Sequence, residues 1–304
     1  MVRPALRTLR RIPRLISYRQ HVVSLVAVFL ALAVGVVLGG GPLSELGRDD
    51  SATAADGLGP GEERTLTFAE DFAATAAPQL YDGGLRGRSV ALLTAPGVDE
   101  EAVSGLTAQI EAAGSSLAGR YDLGTELVSG SSKTLVDTLG TQLVEQVDSG
   151  LVDAEATTYV RIGQFLGRAV ATTGAPQRPS TDAETVRQSL VAGELLTATD
   201  EDARLAPLVL LVLGDDAEPT VLAGLVSGLA TTATGVVVAG DSGAATSGDL
   251  ADLREDPAAT QVTTVDGIET VLGQVTAVLA LVREIDGTGG SFGAAGEAGP
   301  VPLG

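Results

Sequence analysis

Cysteine is absent from the 304 residues. No disulfide can brace the chain, so packing alone must hold its fold. The other soft or imidazole metal ligands are almost absent too: the single methionine is Met1 and the single histidine is His21. Beyond residue 21 no histidine or cysteine is available to activate a serine, which excludes the usual nucleophilic triads there. Tryptophan and asparagine are missing, aromatic residues make up 3%, and Lys133 is the only lysine. Positive charge is scarce and unevenly placed. Six of the 19 cations, Arg3, Arg7, Arg10, Arg11, Arg14 and Arg19, fall within the first 21 residues, which contain no acid. The rest of the chain has 13 cations against 39 carboxylates, a net charge of −26. Nucleic acid and anionic lipid repel a body this acidic, so neither is an expected partner surface for it.

Against this background one stretch stands out, "SYRQHVVSLVAVFLALAVGVVLGGGP", Ser17 to Pro42. From Val22 to Leu38 its only polar residue is Ser24. Extended through Gly39–Gly41, the run as a helix spans about 30 Å, the thickness of a bilayer core. A soluble helix would show a polar stripe, and this one has none. A cleaved export signal fits less well, because the basic region is long and no clean A-x-A site follows. An uncleaved anchor accounts for all of these features. The arginine excess puts residues 1–21 in the cytoplasm and residues 43–304 outside, a single pass through the plasma membrane. Gly35 and Gly39, with Ala31 a turn earlier, put small residues on one helix face and permit close helix–helix approach. A homodimer or a pairing with another membrane protein would use that face.

The residues from Ile16 to Leu43 resemble the opening of the actinobacterial MctB family, named for mycobacterial copper transport protein B. Tyr18, Arg19, His21, Ser24, Phe29, Gly35, Gly39 and Pro42 stand where that family has an aromatic-basic-x-His lead, a Ser-containing helix and a glycine-rich close. The resemblance implies an envelope protein with one of two roles. One is a copper efflux or homeostasis component, working as an oligomeric channel. The other follows the family's septal member SteB, which pairs with SteA and is linked to control of a peptidoglycan hydrolase. The second is the primary expectation from the residues. Copper has no thiolate, no internal thioether and no exported imidazole to bind, and one apolar helix cannot enclose a channel unless several chains assemble. No cofactor is expected, and copper enters through the resemblance alone. Within the anchor, Arg19, His21, Ser24, Phe29, Ala31, Gly35, Gly39 and Pro42 are the candidate anchoring and helix-packing residues. His21, beside Arg19, reads as an interfacial residue rather than a metal ligand.

The exported part reads as α/β. Residues 42–64 are Gly-, Asp- and Ala-rich and are expected to be a linker. A short helix to about Leu80 follows, where family members usually carry a charged coiled coil. Residues 65–286 carry alternating strand and helix patterns: strands at Ser89–Thr94, Ser116–Asp122, Pro207–Gly214, Gly235–Ala239 and Gln261–Val265, with helices between them, including Lys133–Val147, Ala154–Ala171 and Asp182–Leu196. Continuous apolar runs such as "PLVLLVLG" suit a sheet buried on both faces. A Rossmann-like three-layer domain with a parallel or mixed sheet and an extra helical segment is expected. Residues 287–304 read as a flexible Gly- and Pro-rich tail with Phe292 as its only sizeable anchor.

No catalytic motif emerges. The loops "GDDAEPT" and "GDSGAATSGD" are acidic where a phosphate loop needs glycine amides, and neither contains G-x-G-x-x-G. "GTELVSGSSKT" resembles a P-loop but misses its spacing, and reads instead as a helix start. Carboxylates are abundant, yet no pair is distinguished for glycan hydrolysis. Asp99, Glu100 and Glu101 crowd a helix start, where the dipole favours them. The domain is therefore expected to bind or scaffold rather than catalyse.

Overall fold

Every residue of Val90–Thr94 (β1) is buried, which is what the unbroken apolar run VALLT dictates for a strand covered on both sides. A computed structural model describes residues 59–303 apart from Ser149, Glu201, Asp215 and Asp216. β1 is an interior strand of a seven-stranded sheet. Its other members are Leu117–Leu123 (β2), Leu196–Ala198 (β3), Leu208–Val212 (β4), Gly235–Ala239 (β5), Thr263–Val265 (β6) and Gly290–Phe292 (β7). The order is β3-β2-β1-β4-β5-β6-β7. All pairs are parallel except β2 with β3, so the sheet is mixed.

Because side chains alternate along each strand, the sheet feeds two cores. Val90, Leu92, Leu208, Leu210 and Val237 face one core, with helices Pro60–Tyr81 (α1), Glu100–Ala112 (α2) and Val271–Glu284 (α10). Ala91, Leu93, Val209, Leu211 and Val238 face the other. That side is covered by Thr125–Val128 (α3), Lys133–Gln146 (α4), Thr158–Val170 (α5), Thr181–Ala192 (α6), Pro219–Ala230 (α7), Ser242–Ser247 (α8) and Asp249–Glu255 (α9). The chain is thus a mixed α/β fold with helices on both faces of one sheet. α5 and α7 pack most closely because glycines line the crossing. A Cβ on Gly228 would lie 2.1 Å from Val160 O, and one on Gly163 would lie 2.4 Å from Leu225 O.

Helix starts follow local chemistry. Asp99 caps α2 through Glu101 N, Ser180 caps α6 through Ala183 N, and Thr270 caps α10 through Gly273 N. Glu100 joins Arg120 in a bidentate pair that draws its carboxyl below the usual range, and a surface pair of this kind is structural.

Three expectations change. The linker does not run to residue 64, because α1 begins at Pro60, with proline in the first turn followed by Glu62 and Glu63. The resulting helix has 22 residues, about 33 Å at 1.5 Å per residue. The helix expected to reach Leu196 stops at Ala192, and Leu196–Ala198 turns back as β3. The tail is not loose throughout, since Gly290–Phe292 extends the sheet and Phe292 is buried. The transmembrane helix expected at 22–41 lies outside the described residues. Among the described residues no helix is long and apolar enough to cross a membrane.

Candidate functional site

In open α/β sheets, ligands usually bind beyond the carboxyl ends of the strands, at the point where strand order reverses. Here that point lies between β1 and β4, and it is plugged. Ala95 N donates to Val212 O at 2.8 Å, and a Cβ on Gly214 would sit 2.0 Å from Pro96 O. The two loops lie against each other, and only glycine fits at 214.

The rest of this edge is acidic and largely committed to its own backbone. Asp241 caps α8 through Ala244 N at 2.6 Å. Glu269 accepts from Ser242, and the Glu218 carboxylate would lie 1.8 Å from a Cβ on Gly130. In the P-loop-like stretch, a carboxylate therefore lies against the Gly130 backbone, a poor setting for an anion. Asp266 is buried and paired: Arg254 Nη2 donates to its Oδ2 at 2.9 Å and also to Phe292 O at 2.9 Å. Ala294 N donates to Asp266 Oδ1 at 2.7 Å. This clamp holds the start of the C-terminal tail on the sheet. Asp249 is 6% exposed, with Oδ2 lacking a partner among the described residues. Burial pushes its carboxyl up to about 6, against backbone N–H groups that pull it down.

The opposite, amino-terminal edge of the sheet differs in kind. A cleft of about 440 Å³ opens there, bordered by Arg88, Ser89, Ser116, Asp200, Asp202 and Arg204. Its residues come from the start of β1, the start of β2 and the β3–β4 connection. Ser89 is buried, and its Oγ has no hydrogen-bond partner among the described residues. Nothing in the local sequence marks these residues as a group. The one available signal is the scarcity of cations beyond residue 21, which makes two arginines in one cleft noteworthy.

The expected anchoring and packing residues, Arg19, His21, Ser24, Phe29, Ala31, Gly35, Gly39 and Pro42, all lie outside the described residues. As for copper, a transported ion would meet carboxylates and backbone oxygens here, since thiolate and imidazole are missing from residue 22 onward. Among the described residues no group of three or more His, Cys, Asp or Glu side chains could hold a metal ion. These donors do not suit selective copper coordination.

A family model described as "Copper transport outer membrane protein, MctB" matches residues 15–303. Proteins named copper transporter MctB from Mycobacterium bovis and Mycobacterium tuberculosis are each 28% identical over 299 residues, covering 90% of this chain and 94% of theirs. The protein of the same name from Mycobacterium leprae is 28% identical over 292 residues, covering 88% and 92%.

Proposed function

The chain belongs to the MctB family, and from that premise we propose that it is an envelope-anchored component of copper handling that works through protein contacts rather than by gripping the ion. The observation that carries this reading is the extent of the match, which spans residues 15–303, together with relatives named as copper transporters. The names favour copper handling over the septal role that the residues first suggested. The chemistry then sets the manner of action. A body with net charge −26 and no soft ligand concentrates cations at its surface only weakly and without selectivity. The apolar run at 22–41 holds it in the plasma membrane with the α/β domain outside, whereas the family description places relatives in the outer membrane. Selective movement of copper would fall to an assembly, either a homo-oligomer or a complex with a membrane partner. No catalytic role is assigned.

One observation fits a role that depends on partner contacts, as either reading requires. Phe68 and Phe72 are exposed on α1, 71% and 64%, with ring centroids 6.4 Å apart. Two of the chain's five phenylalanines thus face outward on the first helix after the linker. The deciding experiment is a deletion strain compared with its complemented parent for copper sensitivity and cell-associated copper. Raised copper and sensitivity, restored by the intact gene, are expected. Unchanged copper with chains of unseparated cells would replace this reading with the septal one.

A further inference from the structure

The cleft at the amino-terminal edge of the sheet has the composition of a binding site. Its two arginines stand apart from its two aspartates: among the described residues, ion pairs involve Arg120, Arg161 and Arg254, not Arg88 or Arg204. The Arg204 guanidinium donates only to Pro176 O, at 3.2 Å, and the Arg88 guanidinium has no hydrogen-bond partner among the described residues. Asp200 Oδ1 accepts from Asp202 N at 2.9 Å, which leaves both carboxylates with unused acceptor capacity. Opposite charges that share a concavity without touching leave room between them. Ser89 forms part of the floor, with its Oγ enclosed in the protein.

Positive charge also lies just behind the lining. Arg187 is buried, with no carboxylate within ion-pair distance among the described residues. Its guanidinium donates to Ala169 O at 2.7 and 3.1 Å and to Ala203 O at 3.0 Å, and it sits 5.5 Å from the centre of the Tyr121 ring. Ala203 lies between Asp202 and Arg204, so this buried cation backs directly onto the cleft segment. An isolated buried cation is costly and favours negative charge nearby.

From this arrangement we propose that the cleft binds a zwitterionic amino acid or short peptide. Its carboxylate engages Arg88 and Arg204, and its ammonium meets Asp200 and Asp202. A simple anion is disfavoured because two carboxylates line the same space, and a simple cation because two arginines do. The volume of about 440 Å³ falls within the span of small-molecule sites. The site is independent of the copper reading and uses none of the anchor residues.

The test is calorimetric titration of the full-length protein in detergent with L-alanyl-L-alanine, its N-acetyl form and its C-terminal amide. Saturable binding of the free dipeptide is expected, with a loss of about tenfold or more for either blocked form. Arg88→Gln and Arg204→Gln should each weaken binding by a similar factor while leaving the melting temperature unchanged. If either arginine variant fails to fold, Asp202→Asn, an exposed substitution, serves in its place and should weaken the dipeptide while sparing its N-acetyl form. Absence of saturation up to about 10 mM, affinity too weak for any small-molecule site of this size, overturns the proposal. So does equal binding of the N-acetyl form, which would make the site a plain anion site, or indifference to all three substitutions.

Discussion

The two ends of the sheet use polar residues in opposite ways. At the carboxyl end, where this topology usually places ligands, Asp241, Asp266 and Glu269 each accept hydrogen bonds from neighbouring protein groups, and Gly214 seals the crevice against Pro96. At the amino end, Arg88, Asp200 and Asp202 are grouped around open space with side-chain valences unspent. Polar groups that complete one another's hydrogen bonds are architecture. Groups that converge on open space and remain unsatisfied are available for a ligand, whereas Asp249 Oδ2 and Arg254 Nη1, unpartnered among the described residues at the carboxyl end, are enclosed in the protein. Topology suggests where to look for a site, and satisfaction of the polar groups decides whether one is there.

The contrast can be broken by substitution at each end. The largest effect is expected at the clamp. Asp266→Ala leaves the part-buried Arg254 without its carboxylate and frees Ala294 N, which should destabilise the domain by about 3–5 kcal/mol. It should also raise hydrogen exchange across residues 290–299, as urea denaturation and mass spectrometry would record. A loss below about 1 kcal/mol would show that the clamp is not structural.

A smaller effect, of opposite sign, is expected at Asp249. Its carboxyl titrates higher when folded than when unfolded, so the folded state holds the extra proton between about pH 4 and 6. The contribution of Asp249 to stability is therefore most favourable below about pH 4, falls as pH rises through about 6, and stays at the lower level above it. Asp249→Asn should flatten that slope and add about 1–3 kcal/mol at pH 7. An unchanged pH profile would place the proton elsewhere.

At the amino end the changes should be smallest. Ser89→Ala removes a buried hydroxyl that has no partner, and should shift stability by less than about 1 kcal/mol. A loss of 2 kcal/mol or more would mean that the cleft residues support the fold after all, and the contrast between the two ends would fail.

Much of the sheet was legible in the sequence. β1, β4 and β5 are continuous apolar runs buried on both faces, and β5 matches its expected bounds at Gly235–Ala239. β3 and β7 were missed because each has three residues and exists through its neighbour. Leu196–Ala198 pairs with β2, and Gly290–Phe292 is aligned by β6 and the Arg254–Asp266 clamp. Such pairing leaves no local periodicity. The start of α1 was misplaced because Gly59–Arg64 is rich in turn formers, although Pro60 also suits a first helical turn. The cleft was illegible for a related reason: its residues lie between 88 and 204, brought together by strand order rather than spacing. The anchor residues from Arg19 to Pro42 were read from hydropathy and family resemblance, and they fall outside the described residues.

The central claim is that a protein of a copper-transport family handles copper without holding it tightly. It is tested most directly by titrating the full-length protein in detergent with Cu(I) and with Cu(II) against a competing chelator. The account predicts no stoichiometric site tighter than about 1 μM for either ion. One equivalent bound well below that level, and retained in His21→Ala, would contradict it.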